Sequence, residues 1–274
     1  MKPSLSLQKL NNSEESLPNG PDPDFPYLNE NQRFNFPPPE NAKHESIIAW
    51  GGNLSPGMLL SAYEQGIFPW YSDDCPVIWH SPDPRFILFP EKFHVSSSMK
   101  KVLRQENFSL SFDRDFPGVI GACSEIERPN QEGTWITDDM VRAYTELHRL
   151  GWAHSAEAWS QGELSKSPEG EVSRVLSGGC YGIRLGNVFF GESMFHRKPN
   201  ASKAAFITLA RFLFDDGVRF IDCQQPTRYL ASLGAEEISR NEFLALLREA
   251  LASRQNGDTD AADRRGLWDN TNQK

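Results

Sequence analysis

The chain has 274 residues, 38% of them apolar, and a formal charge of −9 from 28 Lys and Arg against 37 Asp and Glu. This length holds one large domain or two modest ones, and the acidic balance argues against broad, non-specific nucleic-acid binding while leaving room for a local contact with one RNA end. No run approaches the roughly 18 apolar residues that span a bilayer, the amino terminus lacks a signal-like apolar core, and Cys75, Cys123, Cys180 and Cys223 show no metal spacing. The expectation is a cytoplasmic protein with free thiols, no metal and no membrane association.

In chain order, residues 1–33 are rich in Asn, Ser, Pro and acids with no period of 2 or 3.6, which predicts a disordered extension. Residues 34–83 form a small first unit dense in Pro, Gly and aromatics. Ser55 and Pro56 suit the N-cap and first position of a short helix through Gln65, with Gly66 after its end. A second unit over 84–252 opens with "RFILFP", an apolar strand from Arg85. "VSSSMKKVLRQEN" reads as a helix capped by Ser96, Ser97 or Ser98, with Met99, Val102 and Leu103 on one face. "TDDMVRAYTELHRLG" reads as another, capped by Thr137, with acids in its first turn and Gly151 closing it.

Three strands follow, "AHSAEAW", "VLSGGCYGIRL" and "NVFFGESMF". A polar loop separates the first two, and a turn at Gly186 and Asn187, both able to take positive φ, joins the last two. "NASKAAFITLARFLFDDG" is the clearest helix, with Asn200 or Ser202 as cap, an apolar stripe of Ala205, Phe206, Leu209, Phe212 and Leu213, and Gly217 as stop. The strand "VRFIDCQ" and the helix "SRNEFLALLREALA" complete the folded part. Residues 253–274 read as a disordered tail carrying Trp268. This order favours an α/β (α+β) architecture, a mixed sheet flanked by helices.

Several residues stand out chemically. Asp222 and Gln224 share a face of a buried strand by alternation, and a buried carboxylate is either a satisfied structural bridge or a site. Glu192 follows Gly191 in an apolar strand, either at a bulge that re-aims it or at an exposed edge. Trp70 and Trp135 lie in loops and either stack on a base or plug the core. Lys100, Lys101 and Arg104 fall within one or two helical turns and are either a solvated face or a phosphate contact. His154 reads as a satisfied strand histidine. GxSxG, GxxxxGK[ST] and HExxH are missing, and no glycine-rich loop separates "GESMF" from the long helix, where a coenzyme pyrophosphate would sit on helix N-terminal amides.

Taken together, "FPPPENA", "GGNLSP", "YEQGIFPWYS", "WHSPDPR", "SMKK", "EGTWIT", "AHSAEAW", "GGCYG", "FGESMF", "NASK", "IDCQ" and "ASLGA" resemble leucyl/phenylalanyl-tRNA–protein transferases, in order from about Phe36 to the last helix. The resemblance implies a small N-terminal domain packed on a larger acetyltransferase-like (GNAT-like) domain, with a boundary near Asp83. It implies transfer of Leu, Phe or Met from the 3′ end of aminoacyl-tRNA to the α-amino group of acceptor proteins beginning with Arg or Lys, which marks them for the bacterial N-degron pathway. No cofactor is required, because the aminoacyl ester is already activated. A monomer is the default expectation.

Residue by residue, the resemblance makes Asp222, Gln224 and Glu192 catalytic, with Asp222 orienting and polarising the Gln224 amide and Glu192 near the reacting amines. It places Cys180, Phe189, Met194, Phe206, Leu209, Leu213 and Ile221 in the donor side-chain pocket. It sets Tyr63, Trp70, Trp135 and Tyr144 near the terminal adenosine or the pocket mouth, and Lys100, Lys101 and Arg104 by acceptor-stem phosphates. The chain departs from the family pattern at Thr227 and Tyr229, usually Asn and His, and at Leu209 and Leu213, often aromatic. These departures bear on acceptor and donor preference. Alternatives are transfer of Arg to acidic N-termini, a coenzyme-A-dependent N-acetyltransferase, and a tRNA-binding protein without catalysis.

Overall fold

The computed structural model describes residues 17–42, 46–105, 107–126, 135–161, 174–252 and Trp268. Its elements run β1 (Ile47–Trp50), α1 (Pro56–Glu64), β2 (Phe68–Pro69), β3 (Ile78–His80), β4 (Arg85–Leu88), α2 (Ser97–Arg104), β5 (Ser109–Phe112), α3 (Phe116–Glu125) and α4 (Asp138–Arg149). They continue with β6 (Ala153–Gln161), β7 (Arg174–Leu185), β8 (Val188–His196), α5 (Ala201–Asp215), β9 (Phe220–Gln224), α6 (Arg228–Ser232), β10 (Glu236–Ile238) and α7 (Arg240–Ala252).

Helix starts follow the local chemistry of the sequence. Ser96 and Thr137 accept hydrogen bonds from the Met99 and Met140 amides at 3.3 Å, so both cap α2 and α4 as expected. Ser55 precedes Pro56 at the start of α1 but spends its hydroxyl elsewhere, accepting from the Leu28 amide. That contact belongs to a correction. Residues 17–33, expected to be disordered, lie against the first unit: Leu28 is buried, its carbonyl accepts from Gly57, Asn53 reaches the Phe25 carbonyl, and Arg33 pairs with Glu64. Gly57 permits the approach, since a Cβ there would stand 2.4 Å from the Asn29 carbonyl oxygen. A few anchoring side chains, without periodicity, suffice to order such a segment.

Two sheets result. A three-stranded antiparallel sheet has the order β1-β3-β2, and a seven-stranded mixed sheet has the order β10-β4-β9-β8-β7-β6-β5, antiparallel except for the parallel pair β8/β9. A parallel pair needs a crossover, and α5 supplies it. Alternation sends Phe189 to the face covered by α2 and α5 and Phe190 to the opposite face. The cluster around Phe190 runs without a break from Phe34, Tyr63 and Trp79 of the first unit to Tyr144 and Phe243 of the second.

Some elements lie beyond what periodicity showed. β5, β10 and α6 are four, three and five residues long, too short for a period to register, and the apolar helix α3 begins where Asp115 accepts from the Gly118 amide. In the turn between β7 and β8 only Gly186 takes positive φ. Trp268, expected in a disordered tail, is buried: its ring stacks on His154 at 4.1 Å and packs against Phe112 and Phe212. His154 is a satisfied strand histidine, as expected, 2.7 Å from Asp113. Of the expected loop "SQGELSKSPEGEVSR", Ser160 and Gln161 end β6 and Arg174 opens β7 while 162–173 lie outside the described residues, and among the described residues no helix is long and apolar enough to cross a membrane.

Candidate active site

β8 and β9 pair at Val188↔Phe220, Phe189↔Ile221 and Phe190↔Asp222 and then separate. Each carries one extra residue where they part. On β8, Tyr181 opposes Ser193 while Gly182 opposes Gly191, so Glu192 is the bulged residue. On β9, Phe86 opposes Gln224 while Ile87 opposes Asp222, which leaves Cys223 as the bulge. A cavity of about 540 Å³ lies where the two strands diverge. Gly191, read in the sequence as a bulge signal, marks the place.

Asp222 is the buried side of the site. Its carboxylate accepts from Arg85 Nε at 2.9 Å and from a terminal guanidinium nitrogen at 2.6 Å, with both side chains fully buried. Arg85 also reaches the Gly66 carbonyl at 3.3 Å and lies over the Phe68 and Phe243 rings. The sequence reading missed Arg85, although a lone cation opening an apolar strand demands a buried counter-charge.

The expected action of Asp222 on the Gln224 amide is corrected by the geometry. Asp222 Oδ1 accepts from the Gln224 main-chain N–H at 2.9 Å and thereby holds Gln224 at φ 59°, in the left-handed region. The Gln224 side chain is turned toward Glu192, to which its Nε2 donates at 2.8 Å. The cause is the bulge at Cys223 with that left-handed residue, which together break the simple alternation of the strand.

Glu192 is held by neutral donors. Tyr63 donates to Oε1 at 2.8 Å, Tyr144 lies 3.2 Å from Oε2, and the two phenol oxygens are 2.5 Å apart. Burial lifts the Glu192 carboxyl and the charge of Asp222 pushes the same way; the phenols and Gln224 offset part of this, leaving it at about 7. Burial holds both phenols well above their ordinary value, so they remain O–H donors. Tyr63 and Tyr144, expected near the terminal adenosine or the pocket mouth, are fully buried, hydrogen-bond Glu192 and are not among the residues lining the cavity.

Of the expected pocket residues, Cys180, Phe189, Met194, Phe206, Leu209 and Ile221 line the cavity, and Trp70 and Trp135 stand on its wall. Leu213 is a correction: it lies one turn further along α5, fully buried and away from the lining. The wall also includes Phe68, Tyr181, Ser193, Cys223, Gln225, Thr227 and Leu230, none singled out as lining from sequence, although Thr227 was noted as a departure. Burial pushes the Cys180 and Cys223 thiols up, which disfavours a nucleophilic thiolate. Lys100, Lys101 and Arg104 are exposed on α2 and are not among the lining residues.

The arrangement is an apolar chamber with a polar end made of Glu192, Gln224 and Gln225. Comparison with known proteins agrees with its motifs. Residues 87–248 match the family profile "Leucyl/phenylalanyl-tRNA protein transferase", and residues 52–83 match that family's N-terminal domain. The chain is 46% identical over 233 residues to the leucyl/phenylalanyl-tRNA–protein transferase of Myxococcus xanthus, covering 85% of this chain and 91% of that one. It is 50% identical to the Desulfatibacillum aliphaticivorans protein of that name over 216 residues (79% and 88%), and 49% identical to the Pseudomonas aeruginosa strain LESB58 protein over 229 residues (83% and 96%). A solved structure, L-PGS from Bacillus licheniformis, is similar at a TM-score of 0.34 and 15% identity, covering 53% of this chain and 47% of that one, too distant to add to the fold. The chain belongs to the leucyl/phenylalanyl-tRNA protein transferase family.

Proposed function

We propose that this enzyme moves Leu, Phe or Met from aminoacyl-tRNA to the α-amino group of proteins beginning with Arg or Lys. The product carries a new N-terminal residue that directs it to degradation. The observation that carries the reading is the chamber where β8 and β9 part, apolar along Phe189, Phe206, Leu209 and Ile221 and polar at Glu192 and Gln224. Discrimination among apolar side chains rests on fitted volume, and such a chamber provides it. The parting of two parallel strands at a ligand-sized cavity supports an acetyltransferase-like second domain behind a small first one.

The reaction is aminolysis of an ester. With its NH2 committed to Glu192, the Gln224 amide presents its carbonyl oxygen to the incoming amine, and Asp222 with Arg85 fixes the main chain that aims it. Trp70 and Trp135 offer ring faces for the terminal adenosine, and Lys100, Lys101 and Arg104 offer charge to acceptor-stem phosphates. An Arg donor is disfavoured, because Asp222 is already neutralised by Arg85 and the lining otherwise supplies only Glu192 as a carboxylate. A cytoplasmic location and action as a monomer go with this reading.

The test is transfer of labelled amino acid from Leu-, Phe-, Met- and Arg-tRNA to peptides beginning with Lys, Arg, Asp or Glu. Leu or Phe on Lys and Arg peptides is the expected result. Arg on Asp or Glu peptides, with no Leu or Phe transferred, overturns the reading.

A further inference from the structure

Beside Gln224, three oxygen contacts share too few hydrogens. Tyr63 Oη lies 2.5 Å from Tyr144 Oη and 2.8 Å from Glu192 Oε1, and Tyr144 Oη lies 3.2 Å from Glu192 Oε2. Each contact needs one hydrogen between its oxygens, and the two phenols carry one apiece. An ionised carboxylate only accepts, whereas a protonated one adds an O–H donor. With Glu192 ionised, one of the three contacts is therefore two oxygens with no hydrogen between them. With Glu192 protonated the ring closes: Glu192 Oε2–H donates to Tyr144, Tyr144 to Tyr63, and Tyr63 back to Glu192 Oε1. Gln224 Nε2 can stay on Oε1 in both states.

From this count we infer that Glu192 takes up the proton that the acceptor α-ammonium must lose, with Tyr63 and Tyr144 closing around it. The inference rests on the transfer reading above. Glu192 faces Tyr63 from α1, Tyr144 from α4, and Gln224 and Asp222 from β9, and Tyr181 of β7 packs on Tyr144. The charge on Asp222 is matched by Arg85, so Glu192 is the carboxylate left to exchange a proton. Its carboxyl at about 7 lies near an α-amine at roughly 7.7–8, and the proton moves between them at little cost.

The step balances. The ammonium gives one proton to Glu192, and the freed amine attacks the ester carbonyl. The C–N bond forms, the C–O bond to the ribose breaks, and the proton on Glu192 passes to the departing ribose oxygen. The second proton leaving the nitrogen goes to water.

The experiment uses the full chain, Leu-tRNA and a peptide beginning with Lys. Glu192→Gln keeps size and lining but accepts no proton. Its kcat should fall roughly 10²- to 10⁴-fold with an unchanged KM for Leu-tRNA, and the acid limb of its pH profile should move from near 7 toward the amine's own value of about 8. The same peptide with an aminooxy group in place of the α-amine, already neutral at these pH values, should narrow the defect to less than about tenfold, since no proton need leave before attack. A Glu192→Gln enzyme equally slow with both acceptors, or a limb that does not move, overturns the proton assignment alone. A wild-type enzyme silent with both acceptors overturns the transfer reading and this assignment with it.

Discussion

Asp222 and Glu192 are joined through a single residue, Gln224, which binds the first by its main chain and the second by its side chain. Their surroundings are opposite in kind. Asp222 faces a guanidinium in two-point contact, between two aromatic rings, with no exposure. Glu192 faces two phenols and an amide, on a bulge at the wall of a cavity. A guanidinium in two-point contact locks a carboxylate into an ion pair, whereas burial among neutral donors lifts the Glu192 carboxyl. Under the proton assignment proposed above, one carboxylate is part of the scaffold and the other the reagent, and the choice is made by what stands opposite each.

The sharpest way to break this contrast is Asp222→Ala, which strands a buried Arg85. Losing one partner of a buried pair costs about 3–5 kcal/mol, so urea unfolding should show a large loss of stability together with lost transfer. The double variant Arg85→Met/Asp222→Leu should recover much of the stability and none of the transfer. An Asp222→Ala protein as stable as its parent would remove the scaffold role.

A smaller effect concerns the pH dependence of stability. The Glu192 carboxyl stands at about 7 in the folded chain against an ordinary 4.5, so the folded state holds the proton more tightly. The stability it contributes is complete below about 4.5 and is lost as pH rises through 7, with a slope of up to about 1.4 kcal/mol per pH unit. Glu192→Gln removes that slope, which unfolding curves between pH 4.5 and 8 would show. Parallel curves for variant and parent would place Glu192 with Asp222.

The smallest expected effect is at Glu157. This carboxylate is fully buried, accepts from Ser111 at 2.6 Å and Ser155 at 2.5 Å, and is raised by burial, yet it does not line the chamber. Glu157→Gln should leave transfer within about twofold of the parent and stability within about 1 kcal/mol, since each hydrogen bond there is worth about that much. A large loss of transfer would mean that burial among neutral donors, even away from the chamber, makes a reagent.

Local chemistry was read well from the sequence because it is local. The caps at Ser96 and Thr137, the stripe along α5 and the bulge signal of Gly191 each depend on a few neighbouring residues. The pairing of groups was hidden because it is distant: Arg85 and Asp222 are 137 positions apart, and Tyr63 and Glu192 are 129. Strand alternation brought Asp222 and Gln224 to notice, but it cannot foresee an inserted residue at Cys223 or a left-handed Gln224, which put the main-chain N–H of Gln224 on the carboxylate. Helical periodicity likewise put Leu213 on the stripe with Leu209, but a stripe several turns long runs past the end of the chamber.

The place of β4 in the large sheet has a consequence for the newborn chain. β4 opens that sheet in sequence, yet it lies between β9 and β10, the last two strands among the described residues. Arg85 thus waits through most of translation for Asp222, and the slot that holds it closes only when Ile238 has cleared the ribosome. An enzyme that draws on the same charged tRNA that feeds protein synthesis thus gains its working site only after more than 130 residues beyond β4 have been added to its own chain.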